Sequence, residues 1–160
     1  TSVKVTASQA DTYVPYEDFE GNYIFGFMDV DGDGSITNYP VTLELNEDGY
    51  SYTMPFAGFD ISVGWTPYGY MTFNTQYLGL YQDLFVMMCP LSSAGFFSVS
   101  SETGYNIVPD MSGDGQVWMF EDNGAWDEIM CMMLYGFYDQ QLNEQAGYLM
   151  RFIPGYLIKQ

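Results

Sequence analysis

Residues 21–54 read GNYIFGFMDVDGDGSITNYPVTLELNEDGYSYTM, and two turn motifs divide this stretch into three apolar segments. The first two segments carry an apolar side chain at every second position: Tyr23, Phe25 and Phe27, then Val41, Leu43 and Leu45. A period of two is typical of half-buried strands. The Asp48-Gly49 pair predicts a hairpin turn, because glycine tolerates the positive φ that tight hairpins need. The stretch therefore predicts three antiparallel strands joined by short turns.

The remainder of the chain repeats this rhythm in short apolar segments separated by Gly, Pro, Asn and Asp. These segments are FDISV (59–63), YMTF (70–73), DLFVMMC (83–89), GFFSVS (95–100), GQVWMFE (115–121), EIMCMMLYGFY (128–138) and GYLMRFI (147–153). Successive hairpins of this kind predict an all-β fold, an up-and-down antiparallel meander that closes into a barrel of about eight strands. A two-layer β-sandwich is the alternative.

The charge balance restricts the partners of the protein. The 160 residues contain 21 Asp and Glu but three Lys and Arg and no His, for a net charge of −18. The three cations, Lys4, Arg151 and Lys159, lie near the ends of the sequence. Nucleic acids and anionic membranes bind clustered Lys and Arg, so this composition excludes both as partners of the domain. Neutral and cationic partners remain, and the sequence leaves the oligomeric state open.

The residue types also argue against catalysis. Without histidine there is no Ser-His-Asp or Cys-His arrangement, and no spacing among the acids singles out a carboxylate pair. Cys89 and Cys131 lie in apolar segments, where free cysteine behaves as a small core residue. A disulfide between them would require Cα atoms within about 7 Å, which the sequence does not show. The chain is therefore predicted not to be an enzyme.

Two acidic, glycine-rich loops are candidate calcium sites. Asp29, Asp31 and Asp33 occupy the first ligand positions of an EF-hand loop, but the position of its bidentate Glu holds Pro40. The second loop contains Asp110 and Asp114, and its terminal acid, Glu121, falls at the end of a predicted strand, about 23 Å from Asp114 at ~3.3 Å per residue. Both loops are interpreted as turns, and no cofactor is expected. Weak Ca²⁺ binding by a loop of another type is the alternative.

The segments DFEGNYIFG (18–26), YPVTLELNEDGYSYTM (39–54) and GFDISVGWTPYGYMTFNTQYLG (58–79) carry a family resemblance. The chain resembles the lipocalin-like β-barrel domains found in uncharacterised secreted lipoproteins of gut bacteria. The similarity covers residues 19 to 79 by pattern, with Tyr23 standing where true lipocalins carry tryptophan. The resemblance implies an extracytoplasmic location, as a cell-surface or periplasmic lipoprotein, and a fold more than an activity.

Aromatic side chains outside regular strand patterns are the candidate ligand contacts. Trp65 and Tyr68 flank Pro67 in a loop, where exposed rings can stack on sugars. Trp118 and Trp126 are further candidates. The expected function is a non-catalytic extracytoplasmic binding module for a carbohydrate or other neutral small ligand. A structural, adhesion or spacer domain of a cell-surface lipoprotein, with no small-molecule ligand, is the alternative.

The domain organisation follows from the same pattern. Residues 19–160 are predicted to form the barrel domain, and residues 1–18 an N-terminal strand and linker. This N-terminal stretch is either the end of a preceding domain or a strand that closes this one.

Overall fold

The computed structural model describes residues 13–110 and 116–160. The described part contains one short 3₁₀ helix, Tyr16–Phe19, and eleven strands. The strands are β1 (Gly21–Asp29), β2 (Ile36–Leu45), β3 (Ser51–Phe56), β4 (Phe59–Trp65), β5 (Met71–Asn74), β6 (Gln76–Tyr81), β7 (Leu84–Ser92), β8 (Gly104–Pro109), β9 (Val117–Asp122), β10 (Ile129–Phe137) and β11 (Gln145–Lys159). No helix in this part of the chain is long and apolar enough to cross a membrane.

Eight of the strands form a closed antiparallel barrel. Their order is β1-β2-β3-β4-β5-β8-β9-β11, and β11 pairs with β1 to complete the ring. This closure confirms the predicted all-β barrel over the two-layer sandwich, because a sandwich leaves strand edges unpaired. The simple up-and-down order is interrupted twice, since β6 and β7 lie between β5 and β8 in the chain, and β10 between β9 and β11.

The three inserted strands form a sheet extension beside the barrel. Strand β11 is long enough to serve both structures, because its first half pairs with β10 while its second half pairs with β1 and β9. Beyond β10, the extension continues through β7 to β6. One face of the extension contributes Val86, Met88, Met132 and Leu134 to the same core cluster as the barrel interior. The extension therefore closes the barrel near the end of β1.

The short helix closes the opposite end of the barrel. Phe19 is buried against Trp118, with the ring centroids 4.8 Å apart, and Tyr23 Oη donates to the Phe19 carbonyl at 2.7 Å. The Tyr16 ring stacks on Tyr52 at 5.0 Å. Residues 1–12 of the predicted N-terminal strand and linker lie outside the described residues, whereas residues 16–19 pack against the barrel.

The prediction of a strand over residues 95–100 is wrong. In this segment Phe97 makes a single antiparallel bridge to Leu91 and no extended ladder. Ser92 N–H donates to the Phe96 carbonyl at 2.7 Å, so the segment turns back onto the end of β7. Its two phenylalanines point to different sides, because Phe96 is exposed while Phe97 packs against a second apolar cluster on the other face of the extension. This second cluster is formed by Met87, Cys89, Cys131, Met133 and Phe137.

Candidate functional site

The interior of the barrel is filled by the protein's own aromatic side chains. Phe25 is fully buried at its centre and meets five other phenylalanine rings at centroid distances from 5.1 to 6.4 Å. These rings are those of Phe27, Phe56, Phe73, Phe120 and Phe152. A ligand in the position used by lipocalins would have to displace them, which leaves the outer surface of the barrel for a ligand site.

The four aromatic residues predicted to contact a ligand occupy different environments. Trp118 is a core residue, 7% exposed and packed on Phe19. Trp126 is half-buried in the turn between β9 and β10. Tyr68 is exposed in the turn between β4 and β5 and stacks on Tyr70 at 6.4 Å. Trp65 is half-buried at the end of β4, and of the four it alone lines a groove on the outer wall of the barrel.

A groove of about 730 Å³ lies on the outer wall of the barrel. Ser62 and Thr72 point into it, since they alternate with the buried residues Ile61, Val63 and Met71 of the same strands. The residues that line it include Tyr50, Ser62, Trp65, Thr72, Asn74 and Gln76. The volume is within the range of about 300–1,000 Å³ that is usual for small-molecule sites. The groove combines the exposed Tyr50 ring with hydroxyl and amide groups.

Trp65 is held in place from behind the groove. Its Nε1 donates to the carbonyl of Val14 at 2.9 Å, and its ring packs edge-on against Tyr16 at 6.1 Å. The indole is therefore fixed by the segment that precedes β1, and its N–H is already satisfied. Trp65 also packs against the barrel core, since it follows Ile61 and Val63 on the inward side of β4, whereas Tyr50 is 63% exposed.

Gln76 fixes the edge of the groove that lies between β4 and β6. Its side-chain amide exchanges two hydrogen bonds with the backbone of Ser62, because Ser62 N–H donates to Oε1 at 2.7 Å and Nε2 donates to the Ser62 carbonyl at 2.9 Å. The amide thus imitates one residue of a β ladder and ties the start of β6 to β4. This contact keeps the extension against the barrel at the point where the two enclose the groove.

Asp48 supplies the carboxylate of the groove. Its oxygens accept hydrogen bonds from Ser51 Oγ and from the backbone N–H groups of Tyr50 and Ser51, the latter two at 2.9 Å. The hydrogen bond from the Ser51 hydroxyl is the largest cause of a lowered Asp48 pKa, followed by that from the Tyr50 N–H. Asp48 is therefore an ionised hydrogen-bond acceptor that is fixed by its own turn.

The acidic loop between β1 and β2 uses its carboxylates within the protein. Asp29 Oδ1 accepts from the Asp31 N–H at 3.0 Å, and Asp33 Oδ1 accepts from Ser35 Oγ at 2.6 Å. Asp31 forms a salt bridge with Arg151, and its pKa is lowered mainly by the hydrogen bond from that guanidinium. The contacts of Asp29 and Asp33 are typical of Asx turns, in which the side chain replaces a backbone acceptor.

The second acidic loop is described only in part. Asp110 N–H donates to the Val117 carbonyl at 2.9 Å, which places Asp110 at the end of the β8–β9 pair. Asp114 lies outside the described residues. Within residues 13–110 and 116–160, no group of three or more Cys, Asp or Glu side chains is arranged to hold a metal ion. Weak Ca²⁺ binding at either loop stays a prediction.

The two cysteines lie on the face of the extension that points away from the barrel. Both are free and buried, and β7 and β10 bring them together on one side of the sheet. Burial raises the pKa of the Cys89 thiol to about 12 and also raises that of Cys131. Because the thiolate is the reactive form, both groups are poor nucleophiles in the folded protein.

We expect thiol labelling to distinguish the folded from the unfolded state. A maleimide reagent at neutral pH should modify Cys89 and Cys131 slowly in the native protein and rapidly in denaturant, because burial both blocks access and keeps the thiols protonated. Intact mass spectrometry over time measures the two rates. Native labelling as fast as that of the denatured chain would contradict the burial of these residues.

One family model matches residues 1–132 of the chain, that of DUF4987, a domain of unknown function. The chain belongs to this family. The match ends inside β10, although β11, which closes the barrel, follows it. No curated protein and no solved structure matches the chain.

Sequence reasoning missed several residues of the groove. Tyr50 alternates with Tyr52 and Met54 and so suggested a buried strand face, yet it precedes β3 and faces solvent. Gln76 carries no signal of its own, because its role depends on the proximity of β4, fourteen residues away in the chain. The Asp48-Gly49 turn was predicted, but its place beside Trp65 follows from strand register alone.

Proposed function

We propose that this domain is a non-catalytic extracytoplasmic binding module that takes a neutral carbohydrate in the outer groove. The observation that carries the proposal is the placement of the exposed Tyr50 beside the polar side chains of Ser62, Thr72 and Asn74 in a groove of about 730 Å³. Aromatic rings offer an apolar surface to the C–H faces of a sugar, while side-chain amides and hydroxyls bind its hydroxyl groups. Tyr50 provides the ring, and Ser62, Thr72 and Asn74 provide the hydroxyl and amide groups.

The charge of the protein supports a neutral ligand. The net charge of −18 and the ionised Asp48 at the groove would repel uronic acids, sulfated sugars and phosphates. A neutral sugar meets no such penalty, and its hydroxyl groups can donate to the Asp48 carboxylate. We therefore place neutral mono- and oligosaccharides ahead of charged glycans.

The groove also supports binding without catalysis. Hydrolysis of a glycosidic bond normally requires two carboxyl groups placed on either side of it. Of the residues that the structure describes around the groove, Asp48 is the one acid, and its three hydrogen bonds hold it ionised. The extracytoplasmic location, as part of a cell-surface or periplasmic lipoprotein, rests on the family resemblance of residues 19–79 and belongs to the proposal.

The groove predicts different effects for two tyrosine substitutions. Tyr50→Ala should weaken binding of a neutral oligosaccharide by about tenfold or more, since losing a contacting ring is among the larger single losses at an interface. Tyr68→Ala, which removes an equally exposed ring outside the groove, should leave the affinity unchanged. A glycan array identifies the oligosaccharide, and titration calorimetry compares the variants.

Tyr39→Ala is the control, because it removes an exposed ring from β2, on another wall of the barrel. Failure of every neutral glycan on the array to bind would refute the proposal. Equal affinity of Tyr50→Ala and the unaltered protein would refute the groove as the site.

A structural or spacer role is the second candidate, and the filled interior favours it. Six phenylalanine rings pack together where a lipocalin would hold its ligand. A rigid, solid barrel can hold neighbouring parts of a cell-surface protein apart without binding anything. Silence on the glycan array would leave this as the supported function.

A further inference from the structure

The outer face of the sheet extension is a second apolar surface, separate from the groove. Strand register places Tyr77, Met87, Tyr135 and Tyr148 in one row across β6, β7, β10 and β11. A second row contains Leu80, Phe85 and Phe137. Met87 and Phe137 are buried in the second apolar cluster, whereas Tyr77, Leu80 and Tyr148 are 50%, 64% and 47% exposed. The face thus exposes rings and aliphatic groups to solvent, next to the buried Met and Cys side chains of the second cluster.

The rings on this face are organised in contacting pairs. Tyr77 stacks on Phe85 with the centroids 6.5 Å apart, and Phe97 stacks on Tyr135 at 5.0 Å. Tyr135 also touches Phe137 at 5.2 Å. Such pairs restrict one another's rotamers, so a partner would meet a surface that loses little side-chain entropy on binding. We define Tyr77, Leu80, Phe85, Phe97, Tyr135 and Tyr148 as the aromatic face.

Acidic residues lie at both ends of the aromatic face. Phe85 pairs with Phe137, so the turn before β7 and the turn after β10 meet at the same end of the sheet. Asp83 lies in the first turn, and Asp139 and Glu144 lie in the second. At the other end, Glu128 precedes β10 and its carbonyl accepts from the Ser93 N–H at 3.2 Å. Carboxylates therefore stand at both ends of an apolar centre.

The cation at this face is neutralised by the protein itself. Register places Arg151 in line with Met133 and Cys89, at the β11 side of the face. Its guanidinium forms a salt bridge with Asp31 and lies 4.5 Å from the centroid of the Tyr148 ring. Arg151 therefore presents a paired charge, and the field at the face is set by the surrounding carboxylates and the net charge of −18.

We infer that the aromatic face docks a cationic segment of another protein, one with aliphatic or aromatic residues at its centre and lysine or arginine at its ends. The apolar centre would cover Tyr77, Leu80 and Phe85, and the basic ends would meet Asp83 and Glu144 at one side and Glu128 at the other. Charge complementarity selects this occupant, because a second copy of the chain would bring another −18 and the same carboxylates to the face. This site is independent of the groove.

The test uses a short synthetic peptide with lysines at both ends of a leucine- and phenylalanine-containing core, and an analogue with glutamate in place of each lysine. Fluorescence anisotropy at low and moderate ionic strength should show binding of the lysine peptide, weakened by salt. The glutamate analogue should not bind. The double substitution Tyr77→Ser with Leu80→Ser should lower the affinity for the lysine peptide by roughly tenfold or more. Both altered residues are exposed, so the fold should survive their replacement.

Two control pairs distinguish binding at the aromatic face from binding that depends only on the net charge of the protein or on exposed apolar residues elsewhere. Ile36→Ser with Tyr39→Ser removes a similarly exposed aliphatic and aromatic pair from β2 and should leave affinity unchanged. Asp83→Asn with Glu144→Gln should weaken binding more than Glu47→Gln with Asp60→Asn, although both pairs change the net charge equally.

Three results would overturn the inference. The first is equal binding of the lysine and glutamate peptides, or of neither. The second is concentration-dependent dimerisation of the protein that the Tyr77 and Leu80 substitutions abolish. The third is binding of a neutral glycan that these substitutions, and not Tyr50→Ala, remove. Loss of glycan binding through Tyr50→Ala alone would leave the peptide site intact, because the two sites share no residue.

Discussion

Replacing Phe25 with alanine is expected to lower the free energy of unfolding by about 3–5 kcal/mol. Phe25 is fully buried and touches five other phenylalanine rings, so its loss removes both apolar burial and the contacts of its neighbours. Strands from every side of the barrel contribute to this cluster, and they cannot all move inward to fill the gap. Urea or guanidinium unfolding, followed by tryptophan fluorescence, measures the change.

Phe96→Ala is the matched control for this substitution. It removes the same side chain from a position that is 67% exposed, where the expected change is within about 0.5 kcal/mol. The comparison also bears on function. If Phe25→Ala cost less than about 1 kcal/mol, the rings would not be a tightly packed core. A loosely packed interior would then have room for a ligand.

The barrel was predictable because its strands have one buried and one exposed face. In β1 the alternation of Tyr23, Phe25 and Phe27 identified both the strand and its inward side, and all three are buried. The turn at Asp48-Gly49 was equally clear, and Gly49 has φ of +80°. Closure could be inferred from the number of hairpins, since a barrel of this size leaves no exposed edge.

The extension was not predicted, for a physical reason. Strands β7 and β10 are apolar at consecutive positions, as in Val86, Met87, Met88 and Cys89. Such runs are typical of strands covered on both faces, and here one face meets the barrel core while the other forms the second cluster. The run identifies a doubly covered strand, but it does not say which strands pair with it.

Strands β6 and β8 show a different limit. Tyr77, Leu80 and Tyr81 in β6 are all exposed, so the strand gives no clear inside and outside in the sequence. In β8, Tyr105 and Ile107 are apolar at every second position and both are buried, but the strand has only six residues and ends at Pro109. Short segments of this kind are specified by their neighbours rather than by their own pattern.

Of the residues at the candidate site, only Trp65 was predicted from the sequence as a ligand contact. Trp65 stands out in the sequence because it lies close to Pro67 in a predicted loop. The structure instead makes it the last residue of β4, where it packs against the core and borders the groove. Trp118 stands out by residue type alone, and its strand turns it into the core against Phe19. Tyr50, Asp48 and Gln76 come together through the approach of β6 to β4, which is a tertiary contact and leaves no local mark in the sequence.

The junction of barrel and extension predicts a second large effect, at Gly104. Replacing Gly104 with alanine is expected to lower the free energy of unfolding by about 2–5 kcal/mol. Gly104 has φ of +156°, and a Cβ there would lie 2.4 Å from the Phe73 carbonyl oxygen and 2.7 Å from Asn74 Cα. Both contacts are with backbone, which cannot rotate away, so β5 and β8 would have to separate. Thermal and chemical unfolding measure the loss.

Gly147→Ala separates the two causes of this effect. Gly147 also has a positive φ, of +133°, but a Cβ there would have no atom within 4 Å, so alanine meets backbone strain without a clash. The cost at Gly104 should exceed that at Gly147, because only at Gly104 would the new Cβ also clash with the β5 backbone. Thr75 and Thr103 hydrogen-bond next to Gly104, with 2.8 Å between their hydroxyl oxygens. This buried pair is where the chain leaves the barrel for β6. Equal costs at the two glycines would show that β5 and β8 can separate at this point without loss, and that the groove beside Asn74 is not held by a rigid junction.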